Sequence, residues 1–544
     1  MFTRSTLEVP PAEPTLLPRS LSSSGAASRV VRFCRAHLGL ILVLTIATGL
    51  RLLYIDAPLL DAHRWRQVDT AFMARAFYEG SINPFRPEAV WGGAHGYVES
   101  EFPLLPALVA VLFRLFGPDE TWGRLVVAAF SVGTVALTYV LGRMIAGRAT
   151  GLAAATLMAF SPSAVFYGRA FMPDTLMIFF SLAAVAGFLR HAETGRARSL
   201  AWGSSALALA ILVKLPGILV LVPIAWICWT SKGWRALLDR RLVAAVSIPC
   251  VIGFAWYAYA YSIYLDTGLT FGVVGTTKMY ALDVSPGPWP TAFSKWSTVE
   301  LLTSRRFYET LFTRLYILHL TPPGFVLALL GFVLMRRVRG VSVLDTWLFA
   351  VVVFIFAAGE GHMGHDYYQL PLVPILALYF GAAAWPVFDA GWIARTVQGG
   401  RAGVIVTGTV VALLGGLCFW QSGVIDRHFR PETLDAKLLR SGQEIDAATE
   451  DNSLMVVVDD YGVNSPMLLY FAHARGWSLD ADTASAQVVD GLRSTKSARY
   501  FATTRLSDVR RRQPDLALLL DSRRSIPLND VPPGTALFDL REPR

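Results

Sequence analysis

About eleven apolar stretches, near 38–56, 121–142, 150–167, 173–190, 200–214, 216–230, 242–264, 314–335, 345–360, 368–387 and 404–421, restrict this chain's fold more than any other feature. In hydrocarbon each backbone N–H and C=O needs an internal partner, so only helices or closed barrels span a bilayer. Long apolar runs without strand alternation predict an α-helical polytopic membrane protein of about eleven transmembrane helices, about thirteen at most. A charged fraction of 16% agrees, since soluble chains carry about a quarter. The formal charge of +9 would suit nucleic acid, but the arginines fall mainly in short loops between the spans. That is the positive-inside pattern, so the excess reads as topology and contact with the lipid bilayer, with no nucleic acid as partner.

The basic loops at Arg143/Arg148, Arg190/Arg196/Arg198, Lys232/Arg235/Arg240/Arg241, Arg336/Arg337/Arg339 and Arg395/Arg401 are assigned to the cytoplasm. Every second connection then faces outward: 57–120, 168–172, 214–216, 265–313, 361–367 and everything beyond 422. Residues 1–37, rich in Arg, Ser and Pro, are expected to form a disordered basic cytoplasmic tail, and 38–421 the transmembrane domain. Phe102–Gly117 contains Arg114 and is short, so it reads as an interfacial or re-entrant helix completing the first outer loop, 57–120. The segment 265–313 is a long outer loop. From 422 to 544 the pattern changes: Ser453–Asp460 is a buried-strand run, and Pro466–Arg475 a helical one. A small C-terminal α/β domain on the outer face is expected. Without a P-loop or glycine-rich dinucleotide motif, an ATP-driven pump is disfavoured.

The unusual polar residues fall on connections assigned to that one face. Asp61, His63, Arg66, Asp69, Glu99 and Glu101 lie in the first; Arg169 and Asp174 in the next; Lys214 in the turn after. Lys278, Lys295, Arg305 and Arg306 follow in the long loop, then His362, His365, Asp366, Tyr367 and Tyr368. Acids, bases and histidines converging at a membrane surface suit a reaction on an anionic, lipid-linked substrate. A carboxylate deprotonates an acceptor while Lys and Arg hold a phosphate leaving group. Each residue also has a plainer reading: Asp69 as partner of Arg66, Asp174 as a helix-dipole acid, Lys214 as a snorkelling side chain, Tyr367 and Tyr368 as belt aromatics.

Five segments in order carry a family resemblance: Trp65-Arg66-Gln67-Val68-Asp69-Thr70, Glu101-Phe102-Pro103-Leu104, Arg169 through Asp174, Lys214-Leu215-Pro216-Gly217, and His365-Asp366-Tyr367-Tyr368-Gln369-Leu370-Pro371. Over roughly 38–390 the chain resembles the GT-C membrane glycosyltransferases related to protein O-mannosyltransferases and lipid A aminoarabinose transferase. The resemblance implies a polyprenyl-phosphate sugar donor, a glycan, lipid or protein acceptor, inversion at the anomeric carbon, and an extracytoplasmic site on a multi-pass protein of the inner (plasma) membrane. It implies Lys214 as the lipid-phosphate ligand, and Glu101 and His365 as acceptor contacts or ligands of a divalent metal. Relatives place an Asp-Glu pair at the start of the first outer helix, where this chain has Arg66-Gln67. Asp69, inside the helical segment, is therefore expected as general base with Asp61 as the alternative. Asp174 and Arg169 are substrate or acceptor contacts, Arg66, Arg305 and Arg306 phosphate contacts, and Tyr367 and Tyr368 donor contacts. The rival classes are a secondary transporter or flippase of lipid-linked glycans, which would show charges mid-span and an internal repeat, and a non-catalytic glycan-assembly scaffold.

Overall fold

A computed structural model describes residues 27–273, 296–389, 423–424, 426–430 and 433–544. The expected span 404–421 and the loop lysines Lys278 and Lys295 lie outside the described residues. Four helical segments are long and apolar enough to cross a bilayer: Glu120–Ala146, Asp174–Thr194, Leu215–Leu238 and Arg240–Thr267. They make this a multi-pass membrane protein. Shorter apolar helices cover Leu38–Arg51, Ala197–Val213, Val343–Ala357 and Leu372–Phe388. The first helix begins at Ala27, inside the segment expected to be disordered, because no proline follows Pro18 to interrupt it.

Two expectations change form. The stretch 314–335 is not one straight helix: Arg305–His319 and Pro322–Val338 meet at 102°. Thr321 takes a left-handed φ of 64° before the Pro322-Pro323 pair, so the helix cannot run through. Leu104–Phe116 is a separate 13-residue helix. At about 1.5 Å per residue it is too short to cross, consistent with the interfacial reading.

Helices pack closely where small residues face each other. A Cβ on Gly187 would lie 2.5 Å from the Gly203 Cα, so Asp174–Thr194 and Ala197–Val213 meet backbone to backbone. Arg51, at the end of the first helix, is fully buried and donates to Ser131 Oγ (2.6 Å) and to the carbonyls of Met158, Ala159 and Ala164. This satisfies a buried guanidinium and ties the end of the first helix to Glu120–Ala146 and to the chain between Met158 and Ala164.

Residues 454–543 form a five-stranded sheet in the order β2-β1-β3-β5-β4, with β1 Leu454–Val458, β2 Arg475–Leu479, β3 Tyr500–Thr503, β4 Arg523–Ile526 and β5 Ala536–Pro543. β1 is parallel to β2 and β3; β5 is antiparallel to β3 and β4. The uninterrupted Met455–Val458 run is buried on both faces, as a central parallel strand requires. The unit docks on the first connection. Gly93 N donates to Gly476 O (2.8 Å) and Gly476 N to Val90 O (3.0 Å), Arg475 pairs with Glu88 (2.5 Å), and Arg64 pairs with Asp435 (2.6 Å).

Candidate active site

The helix Arg64–Glu79 supplies the first acids and bases. It starts after His63, which takes a left-handed conformation at φ 56° that aims its ring back towards the other connections. From Gln67 to Phe77 every residue of the helix is buried, so its polar side chains sit inside protein. Asp69 lines a narrow cleft with Arg66, Thr70, Ser100, Glu101 and Phe271. Its carboxylate accepts from Trp91 Nε1 at 3.3 Å and, among the described residues, forms no ion pair. Burial pushes this carboxyl up to about 7, against the pull of Arg66 and the Trp91 and Trp65 indoles. A buried carboxyl poised near neutrality is the condition for a general base. Across the cleft Arg66 pairs with Glu101 at 2.6 Å and lies 5.1 Å from the Phe271 ring centre.

A second group joins the ends of two helices. Asp174 opens the helix Asp174–Thr194, and Lys214 follows Val213, where the extended backbone before Leu215-Pro216 ends the preceding helix. Lys214 Nζ meets Asp174 Oδ1 at 2.6 Å, both nearly buried, and sits 4.7 Å from the Tyr367 ring centre. Asp174 Oδ2 is buried without a hydrogen-bond partner among the described residues. Tyr367 is thus no belt aromatic: it is 7% exposed and stands between Lys214 and His63, whose ring meets it edge-on at 4.9 Å. Tyr368 lies further from Lys214, 5.8 Å to its ring centre.

Asp366 is the anchor that the sequence reasoning left without a role. It accepts from His63 Nε2 at 2.7 Å and from the Tyr167 hydroxyl, with His428 at 3.9 Å. Burial would raise its carboxyl, but His428, His63 and Tyr167 outweigh that and hold it well below the usual range. Its position inside His365-Asp366-Tyr367-Tyr368 was the available signal. Trp91 had none: it reaches Asp69 from another part of the loop.

Asp61 is occupied. Its carboxylate takes Arg169 (2.6 Å), Arg124 (3.3 Å) and Gln67 Nε2 (2.5 Å), while Gln67 Oε1 accepts from Phe171 N (3.1 Å). Arg124 and Arg169 are fully buried, and Arg169 also lies 4.2 Å from the Phe429 ring centre. Neither Asp61 nor Arg169 lines the cleft; this geometry braces the loops behind it. Asp61→Ala should therefore strand two buried cations and cost about 3–5 kcal/mol, read as a large fall in Tm in detergent. Asp61→Asn should cost less and keep turnover per folded molecule.

Arg305 and Arg306, expected as phosphate contacts, stand apart from this cleft. The Arg305 side chain is 89% exposed and pairs with Glu309 one turn on; Arg306 is exposed, and neither lines the cleft. The apolar side of their short helix faces the protein, which turns the arginines outward. Glu101 and His365, expected as acceptor contacts or metal ligands, have protein neighbours here. The Glu101 carboxylate faces Arg66, and the His365 ring stacks on Tyr367 at 5.0 Å. Among the described residues only Asp446, Asp451 and His473 bring three ligand atoms together, in the C-terminal unit.

The profile of the dolichyl-phosphate-mannose-protein mannosyltransferase family matches residues 100–259. Among the curated proteins none matches. Solved structures match across nearly the whole chain. ArnT from Cupriavidus metallidurans, bound to undecaprenyl phosphate, is 14% identical with a TM-score of 0.61, covering 92% of this chain and 98% of that one. The oligosaccharyltransferase AglB from Archaeoglobus fulgidus, in complex with an inhibitory peptide and a dolichol-phosphate, is 12% identical with a TM-score of 0.52, covering 90% and 73%. The chain resembles the GT-C glycosyltransferases in this fold and in the matched sequence segment.

Proposed function

We propose that the protein transfers a glycosyl group from a polyprenyl-phosphate donor to an acceptor hydroxyl or phosphate, with inversion, at the extracytoplasmic face of the inner (plasma) membrane. The observation that carries this reading is Asp69: a buried carboxyl near neutrality, free of ion pairs among the described residues, in a cleft that also holds Arg66. The fold shared with an undecaprenyl-phosphate-bound transferase supports the donor class.

In this reading the lipid phosphate approaches between helices and displaces Asp174 or Glu101 from part of its cation partnership. Lys214 and Arg66 then face the negative charge that builds on the leaving phosphate. For a hydroxyl acceptor, Asp69 takes the proton as the acceptor oxygen bonds to the anomeric carbon. The bond from that carbon to the phosphate oxygen breaks, and polyprenyl phosphate departs with the electron pair. Asp366 holds His63, and His63 the edge of Tyr367, fixing the wall against which Lys214 is set. The transporter reading asks for charges in mid-span, whereas Asp69 lies in a connection and Asp174 and Lys214 at helix ends.

The direct test incubates purified protein with labelled polyprenyl-phosphate sugars and a panel of hydroxyl acceptors. Release of polyprenyl phosphate with a labelled product is expected; none with any pairing overturns the transferase. The pH profile is a second test. Only ionised Asp69 accepts a proton, so kcat/KM should fall about tenfold per unit below about 7 and be level just above it. An acidic limb centred near 4 would mean that the base titrates as an ordinary carboxyl, without the shift that burial gives Asp69.

A further inference from the structure

Two indoles reach Asp69, and the C-terminal unit stands behind both. β2 is an edge strand of the five-stranded sheet, and an edge strand carries backbone N–H and C=O groups open to pairing. Residues 88–93 of the first connection supply the partners. Gly476 gives its N–H to Val90 O and accepts that of Gly93, while Arg475 pairs with Glu88. Gly93 takes a left-handed φ of 86°, and a Cβ there would lie 3.0 Å from the Trp477 ring. These ties bracket Trp91 on both sides. Its side chain points inward, 5% exposed, and donates from Nε1 to Asp69 Oδ1 at 3.3 Å. The same ring meets Phe271 edge-on at 6.0 Å, and Arg66 lies over Phe271.

Trp65 is the second indole that draws on Asp69, one helical turn before it. Its ring meets Tyr461 edge-on at 6.0 Å. Tyr461 belongs to the C-terminal unit, donates to Asp435 at 2.6 Å and accepts from Arg64 Nε at 2.7 Å. So β2 backs Trp91, and the segment that follows β1 backs Trp65. An N–H aimed at a buried carboxylate fixes the side chain's direction and favours its ionised form. Both effects matter for a base that must meet an acceptor at one point in a narrow cleft.

We propose that the C-terminal unit is a working part of the transfer site: it holds Trp91 and Trp65, the positioning residues that aim the Asp69 carboxylate. That Asp69 acts as a base rests on the transferase reading; its coupling to the C-terminal unit does not.

Two readings of Asp69 on the full chain in detergent test this. One is the pH profile of kcat/KM, the other the infrared band of a protonated carboxyl that Asp69→Asn removes. Trp91→Phe keeps the ring contacts and loses the N–H. Without that donor the ionised form is less favoured, so the acidic limb and the infrared midpoint should both rise by about one pH unit. At pH 6 this is about a tenfold loss of kcat/KM, narrowing on the plateau. Gly93→Ala and the milder Glu88→Gln disturb only the contact with β2. They should move both readings the same way, Gly93→Ala by about half as much. A limb and midpoint left in place by Trp91→Phe overturn the positioning role. A shift in Trp91→Phe that neither loop variant reproduces, in folded protein, overturns the part given to the C-terminal unit. Infrared midpoints that move in a protein consuming no donor would refute the transferase and keep the coupling. Turnover with unmoved midpoints would do the reverse.

Discussion

Asp69→Asn should lower kcat by about a thousandfold or more, because a positioned general base contributes roughly 10²–10⁴ and Asn takes no proton at neutral pH. Binding of the lipid phosphate should change less than about twofold, since Asn keeps the shape of the side chain and the phosphate faces the cations. Stability should move the other way. The folded carboxyl, at about 7, holds its proton more tightly than an unfolded one near 4. Wild-type stability therefore falls as pH rises through that window and levels off above it. At pH 8 the Asn variant, carrying no buried charge, should be the more stable by up to about 4 kcal/mol, with the gap closing towards pH 4. Inactive yet stabilised protein is the signature of a functional acid kept at a cost to the fold. Thermal unfolding at two pH values beside a turnover assay reads it; a variant with wild-type turnover, or one that is destabilised, would remove Asp69 from the centre.

Lys214→Met should be damaging in two separable ways. It strands Asp174, 2% exposed and already short of one hydrogen bond, at a cost of about 3–5 kcal/mol. It also removes the cation expected to face the donor phosphate, which should cost about a hundredfold or more in kcat/KM. The double variant Lys214→Met/Asp174→Asn separates them: with both charges gone most of the stability should return, and turnover should not. Recovery of turnover in the double variant would make the pair structural only, and would leave Arg66 to carry the phosphate. Tyr367 packs between this pair and His63, which Asp366 holds, so one ring touches both groups.

Much of this was legible along the chain. Apolar length announced the helices, and the short segments around Asp69, Asp174, Lys214 and Asp366 stood out because charge is rare here. Their fates were not legible. Asp61 and Asp69 sit eight positions apart in one polar run, yet one is locked by Arg124 and Arg169, 63 and 108 residues away, and the other keeps its lone pairs towards a cleft. Arg66 and Arg305 looked alike as loop arginines; one is held over Phe271 beside Glu101, the other stands in solvent. Trp91 has no local mark at all and acquires its role by reaching Asp69 across a fold of the loop.

By itself the sequence determined that the chain crosses a membrane as helices, because the demand that every backbone group be paired in hydrocarbon acts locally on each apolar run. It also determined which chemical groups are present where those runs end. Tertiary structure alone decided which of them are poised and which are braces. A carboxyl's proton affinity depends on burial and on what lies within a few ångströms, and those neighbours come from segments that only the packed fold brings together.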